Sequence, residues 1–293
     1  MAKTTKRRYT RTSQLLGTRA RRRRSKPVVV KLGGELLEDA RRLRRLALAL
    51  ARIAVRSPLV VVHGGGREID ADMVRLGIQK RMVDGLRITD TATLDVVVGV
   101  LAGRVNTRLV AAVCAAGASA VGLTGADGTI VQVRRARRYR SADGTYVDLG
   151  FVGQPVGDNH PTLLLDLYTA GYVPVVASIG TDARGRLFNV NADTLAGNLA
   201  TRLGARQLII AGGTAGVLDA SGRTIPKVDD AMIDHLITGG QAGAGMIAKL
   251  LACRTAGLNG VTDVTIVDGR RAALTVASGT AVVMNQTVRS KNI

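Results

Sequence analysis

The sequence predicts an α/β protein built on a mainly parallel central sheet with helices on both faces. Three observations carry this expectation. Short, unbroken runs rich in β-branched residues recur along the chain, stretches with helical spacing separate them, and glycine-rich turns follow three of the runs.

The elements follow in order. Val28–Leu32 is a continuous apolar run broken only by Lys31, and reads as a buried parallel strand. Glu38–Val55 places Leu, Ala and Ile at helical spacing between arginines. Leu59–Val62, introduced by Pro58, is a second strand, and Arg67–Leu76 a helix. Thr91–Ala116 is a long helical stretch, interrupted or tightly packed near Gly99 and Gly103. Further strands are expected at Ser119–Leu123, Val173–Ala177, Gln207–Ile210 and Val264–Val267. Helices are expected at Pro161–Ala170, Ala192–Leu203, Asp229–Ile237 and Met246–Ala256. Gly128–Gly153 differs, being rich in Val, Tyr, Arg and Gly, with turn signals at Asp127-Gly128 and Asp143-Gly144. It reads as a small antiparallel ribbon on the main sheet. One sheet shared by two lobes is expected after residue 27, with no internal repeat.

Composition bounds the function. Hydrophobic residues make up 46% of the 293, enough for a sizeable core. No apolar run approaches the roughly 18–20 residues that span a bilayer, and no apolar segment of a secretory signal opens the chain, so no membrane partner is expected. Cys114 and Cys253 match no metal-ligand spacing. They read as two buried thiols in a reducing compartment, which points to the cytoplasm. The net charge of +20 is uneven, because residues 1–26 hold eleven Lys or Arg and no acid, leaving 20 − 11 = +9 for the rest. Such a block repels itself and is expected to be a disordered, solvated tail. Non-specific nucleic-acid binding, targeting and subunit assembly are its other readings. Two Phe, five Tyr and no Trp leave no stacking platform for reading RNA.

The three glycine turns are Lys31-Leu32-Gly33-Gly34, His63-Gly64-Gly65-Gly66, and the run from Ala211 that holds Gly212, Gly213 and Gly216. Ligands of open α/β sheets bind beyond the carboxyl ends of strands. Glycines there let backbone N–H groups approach an anion, so three such turns point to a polyanionic ligand. No G-x-x-x-x-G-K-[ST] occurs, and no G-x-G-x-x-G follows the first strand. The His-Gly-Gly-Gly string lacks the G-x-S-x-G elbow that a lipase-like hydrolase needs. Lys31 ends an otherwise apolar strand, so it reaches solvent or meets an anion. Lys249 alone reads as an exposed helix lysine, and Asp193 as first-turn helix chemistry after an Asn191 N-cap. His63 reads as structural, and His160 and His235 as surface residues.

In this order the pieces resemble the amino acid kinase family, in its N-acetylglutamate kinase branch. The resemblance runs from about Val28 to Arg270. It includes Val-Lys-Leu-Gly-Gly (30–34), Val-His-Gly-Gly-Gly (62–66), Asp-Gly-Leu-Arg-Ile-Thr-Asp (84–90) and Leu-Ala-Gly-Arg-Val-Asn (101–106). It continues through Val-Gly-Leu-Thr-Gly-Ala-Asp-Gly (121–128), Asn-Val-Asn-Ala-Asp-Thr-Leu-Ala-Gly (189–197) and Gly-Met-Ile-Ala-Lys (245–249).

The resemblance implies an open αβα sandwich of two lobes, residues 27–190 binding an acylamino acid and 191–293 binding ATP. It implies ATP-dependent phosphorylation of the side-chain carboxylate of N-acetyl-L-glutamate in arginine biosynthesis. Lys31, Lys249 and Asp193 are the implied catalytic residues. Gly64, Gly65, Arg87 and Asn189 would bind substrate. Gly33, Gly34, Gly212, Gly213, Gly216, Gly245 and Met246 would bind ATP. No protein metal site is implied; Mg²⁺ would arrive with ATP, held mainly by phosphates and water. The partners implied are the small-molecule substrate and further copies of the chain, as a dimer or hexamer. Gly213 stands where the family usually has an acid that reaches the nucleotide, which puts contacts of that loop in question. Leu274–Ile293 fits poorly to the pattern of arginine-inhibited members. Two alternatives remain: a kinase for a carrier-protein-bound aminoadipate or glutamate, and a non-catalytic nucleic-acid or regulatory protein on the same scaffold.

Overall fold

Val28–Leu32 (β1) is buried at every residue, as are Leu59–His63 (β2) and Val173–Ala177 (β10). Strands with no solvated face are the mark of a parallel sheet covered on both sides. The computed structural model describes residues 25–284 except 137, 142–143, 158–159, 272–273 and 276–278. Most of the basic tail expected over residues 1–26, and the end of Leu274–Ile293, lie outside the described residues.

Between β1 and β2 runs α1 (Ala40–Arg56), and after β2 come α2 (Gly66–Arg75), β3 (Met82–Val83) and β4 (Leu86–Arg87). A long helix follows as α3 (Thr91–Val98), a π-helical segment Gly99–Val105, and α4 (Asn106–Ala115), leading into β5 (Ala120–Thr124). Next come β6 (Val133–Arg135), β7 (Tyr139–Arg140), β8 (Tyr146–Val147), β9 (Gly153–Pro155) and α5 (Thr162–Ala170). After β10 stand β11 (Ile179–Thr181), β12 (Leu187–Asn189), α6 (Ala192–Arg202) and β13 (Gln207–Gly212). The remainder is β14 (Lys227–Val228), α7 (Asp230–Thr238), α8 (Ala244–Leu258), β15 (Asp263–Asp268) and β16 (Gly279–Val282).

Eight strands form one sheet in the order β14-β16-β15-β13-β1-β2-β10-β5. All neighbours run parallel except β15 and β16. The four strands after residue 191 lie on one side of the β1–β13 seam. On the other lie β2, β10 and β5, which with β1 come before that residue.

Alternation along each strand builds two cores. Val29, Val62, Val176 and Ile210 face Leu195 and Leu199 of α6 and Leu250 of α8. Val28, Val30, Val61 and Ile209 face Leu46 and Leu50 of α1 and Val97, Leu101 and Leu109 of the long helix. The product is the expected αβα sandwich.

One expectation needs correction and two gain detail. The long α-helix is interrupted near Gly99 and Gly103 as expected, by the π-helical segment Gly99–Val105, which accommodates an extra residue while the helix continues on either side. Thr91–Ala115 is long and apolar enough to span a bilayer by composition, yet Val100, Val105 and Val113 are buried against the sheet, as in a core helix. The Gly128–Gly153 ribbon does not join the main sheet. It is two separate antiparallel pairs, β6 with β9 and β7 with β8.

Candidate active site

Strand parity decides where Lys31 points. It shares a face with Val29, so it turns toward α6 rather than α1. Asn191 caps α6, its side chain accepting the N–H of Asp193 at 2.9 Å and of Thr194 at 3.0 Å. That cap sets Asp193 in the first turn, over the end of β1. Lys31 Nζ lies 2.9 Å from Asp193 Oδ1. Lys249, one turn into α8, brings its Nζ to 3.3 Å from Oδ2 and 3.2 Å from the Gly245 carbonyl. Helices α6 and α8 can sit this close because Gly197 faces the α8 backbone, where a Cβ would stand 2.9 Å from the Ala252 carbonyl oxygen.

Asp193 is 5% exposed, so desolvation works against its charge. The two ammonium groups outweigh that cost and hold its carboxyl below the usual carboxylate range. Two lysines on one carboxylate leave a surplus of one positive charge at the carboxyl ends of the strands. An anion is the group that would settle there.

Leu32 pairs with Ala211 on one side and His63 on the other, so the three glycine turns emerge side by side. The first two touch backbone to backbone: a Cβ on Gly34 would stand 2.7 Å from Gly65 Cα. The amides of Gly34, Gly65 and Gly66 have no hydrogen-bond acceptor among the described residues. Gly33 is different from expectation, because its N–H is committed to the Ala211 carbonyl at 2.9 Å. It lines the site without an amide to offer.

Two cavities open beside the Lys–Asp–Lys cluster. One, about 230 Å³, is lined by Lys31, Gly34, Gly64, Gly65, Arg87, Asn189 and Asp193. The other, about 570 Å³, is lined by Gly213, Thr214, Gly245, Met246 and Lys249. Gly243, the N-cap of α8, supplies no side-chain cap beside the second cavity. Arg87 is buried, and its guanidinium bonds Asp70 and the Met73 sulfur. Among the described residues no group of three or more His, Cys, Asp or Glu side chains gathers that could hold a metal ion.

A model of the amino acid kinase family matches residues 26–268. The chain belongs to the amino acid kinase family. It is 41% identical over 251 residues to an acetylglutamate kinase of Acidiphilium cryptum, 83% of each chain being covered. It is 40% identical over 247 residues to one of Sphingopyxis alaskensis, 83% of this chain and 82% of the relative being covered. Among solved structures, a protein of Streptococcus mutans UA159 is 26% identical with a TM-score of 0.75, covering 88% of this chain and 98% of that one.

Within this family fold, not every expected residue reaches a cavity. Gly216 does not: it is a buried turn at φ +104°, packed so that a Cβ would stand 2.6 Å from Thr280 Oγ1. Gly212 ends β13 and leaves room for the Lys249 stem, a Cβ there lying 3.3 Å from Lys249 Cε. Cys253 is buried as expected, but Cys114 is exposed. His160 and His235 are exposed.

His63 is fully buried, its Nδ1 3.1 Å from the Gly64 carbonyl and its Nε2 3.0 Å from the Asn106 amide. A neutral ring with the proton on Nδ1 satisfies both contacts. Burial pushes its pKa down to about 4, against a smaller upward pull from the Gly64 carbonyl. The sequence reading missed Glu35, whose Oε1 accepts the Gly213 N–H at 2.9 Å. The only sequence hint was an acid directly after the first glycine pair.

Proposed function

We infer that the chain transfers the γ-phosphoryl group of ATP to the side-chain carboxylate of N-acetyl-L-glutamate, giving N-acetyl-L-glutamyl 5-phosphate and ADP in the arginine-biosynthetic route of the cytoplasm. The observation that carries this reading is the pair of lysines converging on buried Asp193 between the two cavities. The relatives named acetylglutamate kinase support it.

A carboxylate oxygen forms the new bond to Pγ, the bond from Pγ to the β,γ-bridging oxygen breaks, and ADP carries away that electron pair. No proton moves, so no general base is needed. The difficulty is bringing one anion up to another, and positioning plus electrostatics overcome it. Lys31 neutralises the phosphoryl oxygens from the acceptor side and Lys249 from the nucleotide side. Asp193 holds both ammonium groups and takes no part in bonding. The amides of Gly34 and Gly65 add donors. Arg87 clamps the substrate α-carboxylate, Asn189 meets the acylated amine, and Gly245 and Met246 flank the nucleotide. Mg²⁺ bound to ATP would be held mainly by phosphates and water and would supply charge neutralisation along the phosphates.

An ATP-dependent hydroxamate assay with N-acetylglutamate tests the reading, since hydroxylamine traps acyl phosphate. Hydroxamate from N-acetylglutamate and little from free glutamate or aminoadipate is the expected result. No hydroxamate from N-acetylglutamate with folded enzyme and Mg·ATP would overturn it.

A further inference from the structure

Thr89 is fully buried two residues past Arg87. Its hydroxyl carries one proton, and that proton goes to the Arg87 carbonyl at 3.0 Å. The same oxygen lies 3.2 Å from the side-chain amide of Asn189. Having given its proton away, the hydroxyl can only accept from Asn189. The half of the amide that faces Thr89 must therefore be the NH₂. Asn189 Oδ1 lies on the other half of the amide and accepts nothing from the described residues, and Asn189 is among the residues lining the smaller cavity. The backbone holds this arrangement from both sides. Thr89 N donates to the Leu149 carbonyl at 2.9 Å, Phe151 N donates to the Thr89 carbonyl, and Asn189 N donates to the Phe151 carbonyl at 2.9 Å. Gly150, at φ +71°, passes so near that a Cβ would stand 2.2 Å from the Thr89 carbonyl oxygen.

We propose that Thr89 is a positioning residue that sets the polarity of the substrate cavity. By holding the amide nitrogen of Asn189, it leaves the oxygen as a neutral acceptor at the cavity that Arg87 also lines. The cavity then selects a ligand that carries a carboxylate beside an N–H donor, as the secondary amide of an acylated α-amino acid does. An ester oxygen in place of that N–H would bring lone pair against lone pair. The proposal rests on the acylamino-acid reading above and deepens it by naming the atom read and the residue that sets the reader.

The test compares kcat/KM for N-acetylglutamate and for 2-acetoxyglutarate, which replaces the N–H by oxygen with little change of shape. A site built to hydrogen-bond an N–H rejects an analogue lacking it, so wild type should prefer the amide by at least about tenfold. Thr89→Val, close in shape but without the hydroxyl, should shrink that preference to about threefold or less and raise KM for N-acetylglutamate, while KM for ATP stays within about threefold. Thr89→Ser should restore the preference. A Thr89→Val enzyme that keeps the full preference, however far its activity falls, overturns the proposal, because a merely structural role would behave that way. So does a wild type without preference. If Thr89→Val does not fold, wild type and Thr89→Ser decide, and absence of preference in either overturns the proposal. Wild-type hydroxamate formation from N-acetylglutamate separates the two readings. With it intact, the Thr89 results judge this proposal alone; without it, the functional reading falls and takes this one with it.

Discussion

Glu35 Oε1 accepts the backbone N–H of Gly213 at 2.9 Å, joining residues 178 apart in sequence in the lining of the larger cavity. The carboxylate thus seats an internal anion on an amide at the strand end, beside the stem of Lys249. An incoming polyphosphate meets that negative charge and must compete with it. Glu35→Ala is therefore expected to tighten ATP binding by about threefold to tenfold, the scale of a partly screened like-charge contact. Calorimetric titration with Mg·ATP reads it directly. Weaker nucleotide binding in the variant would mean that Glu35 assists the ligand instead.

Lys31 and Lys249 approach Asp193 from β1 and α8. Their charges are used mainly when negative charge spreads over the transferred group, so Lys31→Ala and Lys249→Ala should each lower kcat by at least about 100-fold. Steady-state kinetics at saturating substrates measures this. Near wild-type kcat in a folded variant would remove that lysine from the mechanism.

His63 links acid sensitivity to the second glycine turn. Its folded pKa of about 4 lies below the ordinary 6.5, so the unfolded chain binds more protons between those values. Stability therefore rises with pH in that window: the contribution is fully present above about 6.5 and is lost as pH falls toward 4. Between pH 7 and pH 4.5 the loss should be roughly 2–3 kcal/mol. Urea unfolding of wild type and His63→Gln at both pH values checks it, because the variant lacks this component of the acid slope. Equal slopes would show that His63 is not a significant part of acid unfolding.

The basic tail precedes the first strand, and the anchor at that strand's start is retained beyond it, Arg206 N donating to the Pro27 carbonyl at 3.0 Å. A chain beginning at Lys26 should fold and keep its turnover number within about threefold, or roughly 0.7 kcal/mol of barrier. Its mass by light scattering at low and high salt would reveal any part of the tail in association. A large loss of turnover at unchanged mass would place the tail in the active site.

Local spacing was enough to recover most elements. Val28–Leu32 and Val173–Ala177 end where the sequence places them, because an apolar β-branched run with breakers beside it leaves one compact way to bury both faces. The site's ingredients were visible for a related reason: glycines at strand ends and a lysine inside an apolar strand violate the local pattern. Strands β14 and β16 were not visible, since two residues, Lys227–Val228, and the weak Gly279–Val282 become strands only by pairing with neighbours. Gly99 and Gly103 marked a break in the long helix but not its π form, because the apolar spacing persists on both sides of Gly99–Val105.

The partners were the part left to tertiary structure. Parity along β1 determines that Lys31 shares a face with Val29, but sheet order and the packing of α6 on α8 decide that this face meets Asp193 and Lys249. Glu35 with Gly213, and Thr89 with Asn189, meet for the same reason. Periodicity is a property of neighbouring residues and reports which way a side chain faces. What it faces depends on which distant strands become neighbours, a choice made by the summed burial of the whole sheet.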